Sequence, residues 1–535
     1  MILPPSKATH HLVVPVPPTV VEMAALQGEN AALKQEVTEL KRQLDWFKRQ
    51  LFGSKSEQRP VDTPVAQLDL WGAVPPVPPA VAEGESTTIT YQRGKAPKQR
   101  PADCVNDSGL RFTADVPVKV ITYTPPELQG EEADQYEVIG THSTYRIAQR
   151  PASYLILQYD RPVIKRKDSG QPLPSPAPAN VLERSVTDVS FLVGLLVDKF
   201  QYHLPLYRQH QRLEQAGITL SRATLTHVAR RAIDLLKPIV EAQLHSVLHS
   251  SVLAMDETPI KAGPSGKGKM KQAYFWPLYG DQDEIVFTFS ASRGRQHIEK
   301  VIRHQFKGTL LSDGYRAYAS YAKANDNIIH AQCWTHSRRT FIEAESSEPT
   351  AVREALSLIA AIYQSEEKLT EKKLQGEARR DYRLIHSKPL VDQFFAWCQV
   401  QRQRTDLTPS NPLSKALGYV TRREHELRVF LEDPDVPLDT NHLERSLRPI
   451  PMGRKNWLFC WTELGAEHVG IIQSLITTCR LHAINPYDYL MDVLLRISEH
   501  PASQVQDLTP RRWKLLFADK PLRSDLFADV NNGLK

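Results

Sequence analysis

A chain of 535 residues is too long for one ordinary hydrophobic core and implies roughly three or four domains or segments of ~100–200 residues each. The 67 Lys and Arg against 61 Asp and Glu leave a formal charge of +6, which is compatible with a nucleic-acid partner and too small to demonstrate one. Five scattered Cys argue against a disulfide framework and for a reducing compartment. No secretory leader pattern and no run of ~18 apolar residues is found, so a cytoplasmic protein with no membrane partner is expected.

Residues 1–20 read as disordered, and the first organised segment spans 21–53. Leu26, Leu33, Leu40 and Phe47 recur every seven residues, with Met23, Asn30, Val37, Leu44 and Leu51 as a companion set. This heptad pattern predicts a leucine-zipper coiled coil. The expected seam comprises Leu26, Asn30, Leu33, Val37, Leu40 and Leu44, and the single Asn at a core position would favour a parallel homodimer. An amphipathic helix packed on its own domain fits the same spacing. A Pro-rich linker (54–105) follows, and then a small β-rich module (106–170) built on runs such as "VPVKVITY" and "SYLILQYDRPVI".

Residues 186–249 read as helical. One helix ends at Gly217, and a second begins after Ser221 with Arg222 and Thr224 in its first turn, a layout that fits a helix-turn-helix reading DNA. Helix pairs about a Gly are also common in proteins that never touch DNA.

From residue 251 the pattern is three strands, a helix, a strand, a helix and a strand. The apolar run Val252–Met255 predicts a strand covered on both faces and ends at Asp256 and Glu257; a solvated turn before Pro259 is the bland alternative. The order matches a ribonuclease-H-like α/β core, in which the first and fourth strands lie side by side and bring Asp256 toward Asp313. Strand alternation puts Glu257 on the opposite face. Two neighbouring carboxylates repel unless a divalent cation holds them, and a two-metal site needs a third acid. Glu444, in the first turns of a late helix capped by Thr440 or Asn441, supplies it, although a Glu beside Arg445 and Arg448 is also what a surface ion pair looks like.

The segments "LFGSKSE", "HLPLYRQ", "GITLSRATL", "MDETPIK", "SDGYRAY", "CWTHSRRTF", "NHLERSLRPIPMGRKNWLF" and "GAEHVGIIQSLITTC", in that order, resemble a transposase of the bacterial insertion-sequence family sixty-six over essentially the whole chain. The resemblance implies a DDE-type enzyme that cuts the ends of its own element and joins them to target DNA, with Asp256, Asp313 and Glu444 as catalytic residues and as ligands of Mg²⁺ or Mn²⁺. It implies a multidomain, mixed fold: the coiled-coil helix, the β-rich module as a degenerate zinc-finger-like region, and the helix-turn-helix-like segment. A ribonuclease-H-like catalytic domain (250–460) with a helical insertion at about 345–435 and a C-terminal helical segment (461–535) complete it. The candidate DNA contacts are Arg222, Thr224, Arg338, Arg339, Arg445, Arg448, Arg454 and Lys455. Further partners would be a homodimer or larger synaptic oligomer and two small accessory proteins, with nucleoid association when DNA is bound. Zinc is not expected, because the region after the linker offers only Cys104 and His142. Cys333 and His336 form a Cys-x-x-His pair that suits either a partial metal site or a buried thiol beside an imidazole, and Trp334 is a candidate to stack on a flipped base. An inactive DNA-binding regulator and a nuclease that cuts without joining are the competing readings.

Overall fold

The computed structural model describes residues 110–527, apart from 130–132, 151–152, 171, 174–177, 267 and 304. The heptad seam, the Pro-rich linker and Cys104 lie outside the described residues. Short β1 (Arg111–Phe112) is followed by β2 (Val118–Thr122), β3 (Tyr136–Arg150), β4 (Ser153–Arg166) and β5 (Pro172–Leu173). β3 and β4 form a long antiparallel hairpin with register Arg150↔Ser153, and β2 adds to β4 in parallel, Val118↔Ile156. Ala148, Leu157 and Tyr159 make a small core there with Leu526 of the C-terminal tail, and the Tyr159 hydroxyl donates to Asp525 at 3.0 Å.

Helix α1 (Val189–Phe200) is buried over most of its length and is capped by Asp188, which accepts the Ser190 N–H at 2.8 Å. Helix α2 (Leu206–Gln215) stops at Gly217, whose φ of +76° suits a residue without a Cβ. β6 (Ile218–Thr219) pairs with β1, and Ser221 then caps α3 (Arg222–Val247) by accepting the Thr224 N–H at 3.0 Å. Leu225, Val228, Ala232, Leu236, Ile239 and Gln243 recur at helical spacing as the buried stripe of α3.

The central sheet contains β7 (Val252–Met255), β8 (Thr258–Gly266), β9 (Lys269–Tyr279), β10 (Ile285–Ser290), β11 (Gly308–Ser312) and β12 (Ile328–Gln332). The strand order is β10-β9-β7-β11-β12, with β8 also on β9. β7, β11 and β12 run parallel, whereas β9 is antiparallel to β7, β8 and β10. β7 and β8 share one partner, at Met255↔Leu278 and Thr258↔Phe275, so they amount to one strand interrupted at Asp256 and Glu257. The partner strand carries Pro277 in that interval, which has no N–H for the ladder. Helices α4 (Arg295–Ile302) and α5 (Arg316–Lys323) connect β10, β11 and β12.

After β12 the chain is helical: α6 (Trp334–Ile342), α7 (Pro349–Glu371), α8 (Gly376–Tyr382), a π-turn (Arg383–Ser387), α9 (Lys388–Arg402), α10 (Pro412–Thr421) and α11 (Glu424–Glu432). Fully buried Arg383 ties these helices together: it pairs with Glu366 at 2.8 Å and donates to the carbonyls of Phe430 at 2.6 Å and Asp433 at 3.0 Å. The Asp433 carboxylate accepts the Thr309 hydroxyl at 3.2 Å, which joins the helical layer to β11. Helices α12 (Asn441–Leu447), α13 (Pro449–Trp457), α14 (Glu463–Leu481), α15 (Pro486–Arg496) and α16 (Pro510–Leu516) complete the order. α14 lies directly on the sheet, since a Cβ at Gly470 would collide with the Phe287 carbonyl. Gln243 of α3 bonds both the Ile285 carbonyl and the Thr478 hydroxyl at 2.8 Å, so α3 and α14 cover the β10 edge together. No helix among the described residues is long and apolar enough to cross a membrane.

Candidate active site

β7 and β11 are adjacent and parallel, with Ala254 opposite Leu311, and two residues beyond that pair come Asp256 on one strand and Asp313 on the other. Ligand oxygens of Asp256, Glu257 and Asp313 all lie within 4.8 Å of one another. Glu257 therefore does not turn to the opposite face, as alternation alone requires. The ladder is broken at this position, and two-residue alternation holds only where the backbone is extended.

The three acids have different surroundings. One Asp256 oxygen accepts the Glu257 N–H at 2.7 Å, and one Asp313 oxygen accepts the Tyr315 N–H at 2.8 Å. Burial pushes the Asp256 carboxyl up to about 7; the Glu257 N–H and His336 oppose that rise, and the Glu257 and Asp313 charges add to it. Glu257 is more fully engaged. Its oxygens accept the Tyr318 hydroxyl at 2.7 Å and the Arg293 Nε at 2.7 Å, and Arg293 stacks on the Tyr315 ring with its guanidinium 4.1 Å from the centroid. Burial raises the Glu257 carboxyl, whereas Tyr318 and Arg293 hold it down.

Glu444 reaches the site from α12. Its Oε1 is 3.8 Å from Nε2 of His336, and His336 also counters the rise at Asp256, so the imidazole is close to both carboxylates. Glu444 itself is outside the close three-acid cluster. Its Oε1 has no hydrogen-bond partner among the described residues, which leaves that oxygen available to a ligand or water. The donors are all oxygens and several are ionisable, which suits a hard divalent cation such as Mg²⁺ or Mn²⁺.

The helix bearing Glu444 is held differently from the sequence expectation. Thr440 occupies the N-cap position without a side-chain cap bond, and Asp439 instead accepts the Asn441 N–H at 3.0 Å. The same carboxylate accepts the Thr335 hydroxyl at 3.1 Å and the Tyr363 hydroxyl at 3.0 Å, so it links α6, α7 and α12. Sequence reasoning missed Asp439, although an Asp two residues before a first-turn N–H is a recognisable turn signal. The Thr440 N–H and hydroxyl each donate to the Cys333 sulfur at 3.3 Å, and burial pushes that thiol up. Cys333 thus serves as a buried acceptor. Trp334 is no stacking platform: it is 0% exposed, donates to the Leu427 carbonyl at 2.9 Å and packs edge-on against Phe394 and Phe430. At the other side of the site, Tyr419 lies so close to Gly314 that a Cβ there would collide with its ring.

Arg338, Arg339, Arg445, Arg448 and Lys455 are exposed, and half-buried Arg454 donates to the Pro259 carbonyl on β8. Arg222 is exposed at the start of α3, with its guanidinium 5.8 Å from the Tyr207 ring centroid, and the Thr224 hydroxyl bonds that of Ser221 at 2.8 Å. Beside them is an open groove of about 820 Å³ lined by Arg184, Thr224, His227 and Arg231. The rest of α3 is packed against the sheet and α14.

Residues 184–468, which contain both aspartates and Glu444, match the family model described as "Transposase IS66 family". Residues 474–511 match "IS66 C-terminal element", and residues 39–104, outside the described part, match "Transposase C of IS166 homeodomain". Relatives include two uncharacterized proteins of Sinorhizobium fredii (strain NBRC 101917 / NGR234). One, y4jD, is 31% identical over 357 residues, covering 64% of this chain and 69% of the relative. The other, y4hP, is 28% identical over 402 residues, covering 70% and 71%. Matched over more than half its length, with the candidate carboxylates inside the matched segment, the chain belongs to the Transposase IS66 family.

Proposed function

We propose that the protein is a DDE-type DNA transposase that cleaves the ends of its element and joins them to target DNA, with Asp256, Asp313 and Glu444 as the catalytic acids on a ribonuclease-H-like core. The observation that carries this reading is the meeting of Asp256 and Asp313 at the ends of adjacent parallel strands, with Asp256 pushed up to about 7 and a buried, unsatisfied Glu444 oxygen nearby. The strand order, three antiparallel strands and then two parallel ones on the other side of the first, supports the assignment of the core.

Divalent cations, Mg²⁺ or Mn²⁺, would be held by these three carboxylates and would stabilise charge on the attacking and leaving oxygens of an in-line displacement at phosphorus. The protein's part is to fix those carboxylates. Backbone N–H groups orient Asp256 and Asp313, Asp439 sets the start of the Glu444 helix, and His336 approaches Glu444 to 3.8 Å. In the first step a water oxygen forms a bond to the phosphorus as the bond to the DNA 3′ oxygen breaks. In the second, the freed 3′ hydroxyl oxygen forms a bond to a target phosphorus as the bond from that phosphorus to the target strand's 3′ oxygen breaks; in each step the attacking oxygen gives up one proton to solvent and the departing 3′ oxygen takes one up.

Arg338, Arg339, Arg445, Arg448, Arg454 and Lys455 are assigned to DNA phosphates near this site, and Arg222 and Thr224 to the element end. The heptad segment is assigned to pairing of two chains, with two small accessory proteins as further partners and the cytoplasmic nucleoid as the place of action. Purified protein incubated with labelled terminal DNA, target plasmid and Mg²⁺ should give nicked and joined products. Nicks without joining would identify a nuclease, and binding without nicks a regulator.

A further inference from the structure

Trp461 is 75% exposed and Leu458 is 61% exposed, and both lie on the loop between α13 and α14. Leu458 has φ 63° and ψ −56°, and the Phe459 N–H donates to the Trp457 carbonyl at 2.7 Å. This is the γ-turn of positive φ, a rare and strained conformation for a branched residue. The loop is nevertheless well anchored: the Cys460 N–H donates to the Lys261 carbonyl at 2.9 Å, the Gly263 N–H donates to the Cys460 carbonyl at 3.1 Å, and Phe459 meets the Trp461 ring edge-on at 5.3 Å. A pinned loop thus holds two large apolar side chains out in water, with nothing inside the described chain to cover them.

The surroundings are cationic. Lys261, Lys269 and Lys455 are exposed, Arg454 lies at the base of the loop on Pro259, and Lys271 is paired with Glu463 at 3.3 Å. The loop is attached to β8, which begins immediately after Asp256 and Glu257, and it follows α12 and α13 from Glu444. An exposed indole on a loop whose Cys460 bonds the backbone of Lys261, with Arg454 and Lys455 shortly before it in the chain, matches an unpaired nucleotide, whose base offers a π face and whose phosphate carries the negative charge. A purely apolar partner would leave Lys261 and Lys455 without counter-charges.

We infer that the loop 458–462 is a stacking site for unpaired nucleotides at a DNA end, with Trp461 as the platform and the neighbouring lysines as the phosphate contacts. The inference rests on the proposed transposase reading and specifies the state of its substrate: terminal base pairs are opened farther along β8 from the carboxylates, where the loop is pinned at Lys261 and Gly263. The test compares binding of the full chain to a blunt duplex and to the same duplex with a three-nucleotide overhang carrying 2-aminopurine. The parent should prefer the overhang and quench its fluorescence. Trp461→Ala should weaken overhang binding about 5- to 100-fold, the range of a stacked base, leave blunt-duplex binding within about twofold, and abolish quenching, while Trp461→Phe retains most of the preference. Unchanged overhang binding, equal loss on both duplexes, or loss of self-association with DNA binding intact would each overturn the inference. Asp256→Asn separates the two readings: it should keep the overhang preference while losing cleavage, whereas normal cleavage by that variant would sink the catalytic assignment and leave the stacking result standing.

Discussion

Replacing Asp256 by Asn should make the cation-free protein more stable at neutral and alkaline pH. Asp256 has a folded value of about 7 against an ordinary 3.8, with burial as the main cause and the Glu257 and Asp313 charges adding to it. Between roughly pH 4 and pH 7 the folded chain therefore retains a proton that the unfolded chain releases, so stability falls as pH rises through that window and levels off above it. Three units at about 1.4 kcal/mol each set an upper bound of ~4 kcal/mol for the destabilisation at pH 8. Asn has nearly the same shape and cannot ionise. Urea midpoints measured from pH 4 to pH 8 in chelator should show parent and variant converging near pH 4 and the variant ahead by ~2–4 kcal/mol at pH 8. Added Mn²⁺ should reverse the order, because it stabilises only the chain that retains the full carboxylate set. A variant less stable than the parent at pH 8 in chelator, or a difference independent of pH, would refute the account of Asp256 as a buried acid strained by its neighbours.

Asp439→Ala should lower cleavage by about 10- to 100-fold while leaving end-DNA binding near the parental level, because it removes the acceptor that holds the start of α12 and not a group at the phosphate; a matched loss of binding would place Asp439 elsewhere. Glu257→Gln weakens the bonds from Arg293 and Tyr318 but also removes a charge that burial disfavours, so stability at neutral pH should change little and activity should fall less than in Asp313→Asn; a larger activity loss than Asp313→Asn would make Glu257 a ligand in its own right. Arg222→Ala should weaken binding to terminal DNA by a factor that shrinks as salt is raised if the contact is to phosphate, and filter binding across a salt series reads this directly. Charged residues in place of Leu33 and Leu40 should abolish self-association by light scattering, since each would set an unpaired charge on an apolar seam.

Much of the scaffold was legible because it depends on short-range pattern. The unbroken apolar run Val252–Met255 reads as an interior strand, and it is a strand buried throughout. Ser221 and Gly217 mark a helix start and a turn through local backbone chemistry, and both occupy those positions. The pairing of the first and fourth strands, and with it the approach of Asp256 to Asp313, was available from element order, because few strand arrangements are compatible with that alternation of strands and helices.

What the sequence could not settle depends on groups distant along the chain. Glu257 looked outward under a two-residue period, and its true direction follows from a ladder interrupted opposite Pro277 and from Arg293 and Tyr318, which arrive from later elements. Trp334 and Trp461 both stand beside polar and charged residues in the sequence, yet one is sealed by Phe394 and Phe430 and the other is held out by a γ-turn pinned to Lys261. Asp439 became a positioning group only because α6 and α7 bring Thr335 and Tyr363 to it. Composition and spacing thus determined which residues could form strands, caps and acidic candidates, since those properties belong to a residue and its near neighbours. Tertiary packing alone decided which acids share a charge field and which aromatic rings meet water, because burial and Coulomb interaction depend on distance in space and not on separation in sequence.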